Sequence, residues 1–205
     1  MSAPKWASVI VVAGLVLFLA DSLSARPPKR PPDGPLITVY APHPEQFELA
    51  LDEIALDWSS QSGAPAQSAI AIAGTRVMER EAVLAWFAVT RAASPVDLLT
   101  VARALKAANP GADAHLVLYV PGHSKDKASR KLLTRQVGLI LEPGIDPLNV
   151  LAGLPFVSIQ PAAASGGYVI EAEDPLAALT FAEALRDRPG VKHAYPVIRH
   201  RVFPR

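Results

Sequence analysis

Five histidines, His43, His115, His123, His193 and His200, are the side chains best suited to metal binding or to proton transfer near neutral pH. No two of them stand at the close helical spacing of a metal site. Cysteine is absent altogether, which removes thiol nucleophiles, cysteine zinc sites and disulfide frameworks together. Gly122-His123-Ser124 sets a histidine beside a serine. A catalytic triad works through groups gathered in space, however, and neither residue has that context in the sequence. Glu142, Glu171, Glu173 and Asp174 include no pair assignable as general acid and base. Gly166-Gly167 reads as a hairpin turn and not as a phosphate loop, since no lysine follows closely. No catalytic residue, no metal and no cofactor are therefore expected, and the chain is read as a non-enzyme. His193 and His200 fall on or beside a C-terminal strand, where they are either surface histidines or pH sensors in an interface.

The elements that must position these residues follow a signal-like start. Lys5 precedes an uncharged, almost wholly apolar run over residues 7–20, and Asp21-Ser22-Leu23-Ser24-Ala25 supplies small residues for a cut. That pattern suits an export signal in residues 1–25, shorter than a comfortable bilayer span. Arg26, Lys29 and Arg30 follow the run, which keeps an uncleaved anchor open as the alternative. The expected location is outside the cytoplasm: periplasmic, extracellular or membrane-anchored. A membrane partner is expected only if the segment is an anchor. Lys and Arg total 20 against 19 Asp and Glu, a balance that speaks against a nucleic-acid partner.

Residues 26–35 read as a proline-rich linker. Residues 36–122 read as a small α+β region of unknown role. Alternating runs predict strands at residues 36–40, 47–51 and 69–73, with a strand or a helix at 83–89. Ser94, Pro95 and Asp97 open a helix that Asn109-Pro110-Gly111 stops, and residues 116–120 read as a buried strand. Trp58, Trp86 and Phe87 are expected as core anchors. Residues 123–135 carry three lysines and two arginines and read as a solvated basic linker. The sharper reading there is a protease-accessible processing site at Arg130-Lys131.

Residues 136–205 are the most regular part. Strands are expected at 136–142, 155–160, 168–172 and 191–195. Asp146-Pro147 and Asp174-Pro175 each supply a cap and a first-turn proline for a helix. The order β-α-β-β-α-β predicts a ferredoxin-like α+β domain at the C-terminus, preceded by the second small α+β region.

The stretch GYVIEAEDPLAALTFAEALRDRPGVKHAYP, residues 167–196, then resembles the end of the prodomain of subtilisin-like serine proteases. A strand leads into an Ala- and Leu-rich helix, a Pro-Gly-Val turn follows, and a strand of the form V-x-x-A-x-P closes it. Residues 133–144 resemble the opening strand of that domain, so the likeness spans about a third of the chain, and the arginine-ended tail is similar to the kexin-like branch. The resemblance implies a non-catalytic inhibitor or folding chaperone whose partner is a subtilisin-like catalytic domain. The tail Val202, Phe203, Pro204 and Arg205 would lie in the protease cleft, with Arg205 just before the cut bond. No Asp-Thr-Gly, His-Gly-Thr or Gly-Thr-Ser-Met-Ala element of a subtilase catalytic domain occurs in these residues. The alternative is a signal-anchored, non-enzymatic binding or structural module.

Overall fold

The computed structural model describes residues 31–40, 43–59, 66–162 and 167–200, all within one compact unit, residues 31–205. The strands are β1 (Leu36–Tyr40), β2 (Pro44–Asp57), β3 (Thr75–Arg80), β4 (Leu84–Val89), β5 (Asp113–Tyr119), β6 (Lys131–Leu141), β7 (Ser158–Ala162), β8 (Gly167–Glu171) and β9 (Val191–His200). The helices are α1 (Pro95–Ala108), α2 (Pro147–Leu151) and α3 (Pro175–Arg186). Each helix begins as its local chemistry requires. The side chains of Ser94, Asp146 and Asp174 accept from the backbone N–H of Asp97, Leu148 and Ala177, and proline occupies the first turn.

The strands form one nine-stranded sheet in the order β3-β4-β2-β5-β6-β8-β7, with β1 added on β2 and β9 on β6. Every pairing is antiparallel. This overturns the expected ferredoxin-like α+β architecture. The six C-terminal elements do form in the expected order, but they are the far part of a larger sheet and not a module of their own.

The cause lies in β6, which begins at Lys131 and not at Gln136. Its first residues pair with β5, matching Leu116 to Leu133 and Leu118 to Lys131, while Gln136 to Leu139 pair with β8. Leu132 and Leu133 are buried on opposite faces of the sheet. Strand alternation, masked by flanking charges, thus carries the chain from the first stretch into the second.

Two apolar clusters share the helix-bearing face. Ile54, Leu56, Leu116, Leu118 and Leu133 pack with Leu98, Ala102 and Leu105 of α1, and Leu176, Leu179 and Ile198 join from the C-terminal elements. Val137, Leu139 and Ile170 pack against Leu151 of α2 and Phe181 and Leu185 of α3. The other face holds a smaller cluster of Ala50, Ala55, Trp86, Val117, Tyr119 and Leu132. Trp58, Trp86 and Phe87 are buried as expected.

Two further readings need correction. Residues 69–73 form no strand. Instead the Asn109 side chain accepts from Ile70 N at 2.7 Å and donates to Ile70 O at 2.9 Å, satisfying that backbone without a neighbour strand. Residues 75–80 do form a strand, β3, at the sheet edge, where Arg76, Glu79 and Arg80 keep the edge polar.

Candidate functional site

The C-terminal strand leads into the tail on which the sequence-based expectation rests, and its end is held by side chains from β2 and β6. Arg199 lies opposite Leu132 in the β9–β6 register, which puts its side chain on the face of Ala55, Val117 and Leu132. Its guanidinium donates to Asp57 Oδ2, at the last residue of β2. Asp57 also accepts from Ser59 N at 2.8 Å and from Ser59 Oγ at 3.0 Å. His115 Nε2 stands 3.5 Å from the same Oδ2.

Asp57 is 2% exposed and His115 4%, so this carboxylate is read in a largely dry setting. Burial alone would push the carboxyl of Asp57 up. The His115 ring nitrogen beside it, the hydrogen bonds from Ser59 and the charge of Arg199 outweigh it and hold the group well below the usual carboxylate range. One residue further, Lys131 Nζ lies 2.8 Å from His200 Nδ1. Both ends of β9 are thereby fixed, since Glu142 N donates to Gly190 O at the other end.

A second cluster on this face explains the basic stretch. Arg130 Nε donates to Glu53 Oε2 at 3.1 Å and Nη1 to Glu79 Oε2 at 3.3 Å, while its guanidinium lies 4.7 Å from the centroid of the Trp86 ring. Tyr119 donates its hydroxyl to Glu53 Oε2 at 2.8 Å. Burial, reinforced by the Glu53 carboxylate and only partly offset by Arg130, pushes the Tyr119 phenol up. Lys127 pairs with Glu79, and Lys125 reaches the fully buried Glu48 at 2.8 Å. Residues 123–130 run as a largely exposed connection, tied at Lys125, Lys127 and Arg130 to carboxylates of β2 and β3, and residues 131–135 belong to β6.

The expected site residues fall as follows. Val202, Phe203, Pro204 and Arg205 lie outside the described residues. Arg130 has a side chain 11% exposed and Lys131 opens β6, so cleavage between them would first require Arg130 to leave Glu53 and Glu79 and Lys131 to leave the sheet. Ser124 donates to Asp126 at 2.7 Å in a surface turn, next to the exposed His123. Glu171 faces Arg135 and accepts from Ser158 Oγ at 3.0 Å, and Glu173 and Asp174 both face Arg103. These acids are committed to ion pairs and caps. His193 and His200 are exposed on β9. Among the described residues no group of three or more His, Asp or Glu could hold a metal ion.

The Asp57–His115–Arg199 cluster was not foreseen. Its members come from β2, β5 and β9, and no spacing in the sequence links them. The chain was compared with protein families, curated proteins and solved structures, and none matches it.

Proposed function

We propose that the chain is an exported, prodomain-like protein that inhibits a subtilisin-like serine protease, assists its folding, or does both, with its C-terminal tail in the protease cleft. The observation that carries this reading is the clamping of β9 at its end, by Arg199 on Asp57 and by Lys131 against His200. An extended segment that leaves a fixed strand needs less ordering to dock, and main-chain pairing with alternate side-chain pockets then supplies affinity and selectivity. The likeness of residues 167–196 to a subtilase prodomain and the signal-like N-terminus support the same reading. A ferredoxin-like fold is no part of it. The test is inhibition of subtilisin-like and kexin-like proteases by the purified chain. Slow, tight inhibition supports the reading, and full protease activity at micromolar chain contradicts it.

A second reading, a non-enzymatic binding module, is favoured by a different observation. A cavity of about 390 Å³ opens beside β9, within the size range of ligand sites. On this reading no protease responds to the chain at all.

A further inference from the structure

The cavity lies where β1 ends and β9 begins. Arg186 and Lys192 supply its charged groups, His193 adds an imidazole, and Tyr40, Ile140 and Tyr195 supply most of its apolar wall. Among the described residues no carboxylate lines it. The side chains of Lys192 and His193 make no ion pair or hydrogen bond among the described residues, and the only ion-pair partner of Arg186 there is Asp187, whose carboxylate is 3.9 Å from Nε and 88% exposed. Two cations beside one concavity, with a single long and exposed pairing between them, leave charge to be met from outside.

The walls are set by packing. The Arg186 guanidinium lies 4.0 Å from the centroid of the Tyr40 ring, a cation–π contact that holds it against that wall. Tyr195 stands opposite Gly138 in the β6–β9 register. A Cβ at Gly138 would come within 2.6 Å of the Tyr195 ring, so the glycine is what lets that ring lie against β6. The place of the Tyr195 ring therefore depends on a residue with no side chain, and that of the Arg186 guanidinium on its contact with the Tyr40 ring.

We propose that this cavity binds a carboxylate carried on an apolar body, aromatic or aliphatic. The Arg186 guanidinium offers a planar fork for two carboxylate oxygens, and Lys192 adds a point charge. The tyrosine rings and Ile140 take the apolar part. A bare inorganic anion would leave most of the roughly 390 Å³ unfilled. The same chemistry is presented by a free organic acid and by the C-terminal residue of a partner polypeptide. The proposal stands apart from the protease reading and does not need it.

The test is calorimetric titration of the full-length chain with phenylacetate and with N-acetyl-Ala-Ala-Phe, each compared with its amide. At least one acid binds, and its amide binds about tenfold more weakly, as expected for loss of a charge-assisted pair. Arg186→Gln and Lys192→Gln each weaken the acid by about fivefold or more while the thermal midpoint is unchanged. Tighter binding of the peptide acid assigns the site to a polypeptide C-terminus, and tighter binding of phenylacetate assigns it to a small acid. The proposal is overturned if neither acid binds the folded chain at millimolar concentration, or if acid and amide bind alike. It is also overturned if both variants keep the wild-type fold and the wild-type affinity.

Discussion

Arg199 donates to the carboxylate of Asp57, a residue 142 positions earlier in the chain. The pair ties the end of β9 to the end of β2, and His115 faces the same oxygen from β5 between them. Three strands are thus fastened at one buried carboxylate, close to the point where the tail departs. Replacing Asp57 by Asn keeps the shape of the side chain but removes its charge. Arg199 keeps 41% of its side chain exposed and is not stranded as a buried charge, so the D57N variant is expected to lose about 1–2 kcal/mol, mainly from weaker acceptance by a neutral amide, in urea unfolding at pH 7.

The same carboxylate sets a pH dependence. Its folded pKa lies below the ordinary carboxylate value, so its contribution is complete above the unfolded pKa of about 3.9 and fades as pH falls toward the folded value. The stability difference between wild type and D57N should therefore be level from about pH 5 upward and shrink below about pH 4. A difference that grew on acidification would show that Asp57 is not the stabilised anion described here.

Arg130 makes two ion pairs and one aromatic contact with a single side chain. Arg130→Ala should cost about 2–3 kcal/mol, because Glu53 and Glu79 are left partly buried beside each other. Arg130→Lys keeps the charge but not the planar fork, and should recover only part of that loss. Thermal or urea unfolding of both variants checks the order.

Much of the helical layer was legible because its signals are local. Ser94, Asp146 and Asp174 each precede a proline, and a cap followed by Pro at the first turn needs no tertiary information. The sheet was less legible where charge and apolarity interleave. The run KLLTR, residues 131–135, reads as basic until its two leucines are seen to enter opposite clusters. The charged edge strand β3 was missed for the same reason. Residues 69–73 alternate like a strand, yet the side chain of Asn109, 39 positions from Ile70, took the place of a neighbour strand. Nothing in the sequence could mark Asp57 and Arg199 as partners, since the pair exists only once β2, β5, β6 and β9 lie side by side.

The shared sheet has a direct consequence for truncation. A fragment of residues 136–205 lacks Lys131 to Leu133, which pair with both β5 and β9, and leaves Ile198 and Leu179 without the core they pack against. That fragment should give a poorly dispersed NMR spectrum, whereas residues 31–205 should give a dispersed one with a single unfolding transition. A well-dispersed spectrum from the fragment would restore an independent C-terminal domain.

Gly167 tests the β8–β6 contact. A Cβ there would meet Leu139 O, a backbone atom, at 2.5 Å. Since the strand cannot yield as a side chain could, Gly167→Ala is expected to cost about 2 kcal/mol, measured as a lower urea midpoint at unchanged slope.

The most direct test of the functional reading compares the full chain with one ending at Arg201, in progress curves against a panel of subtilisin-like and kexin-like proteases. The reading predicts slow, tight inhibition by the full chain, lost when Val202 to Arg205 are removed while the thermal midpoint stays the same. Equal behaviour of the two chains, or no inhibition of any such protease by folded protein, would contradict it.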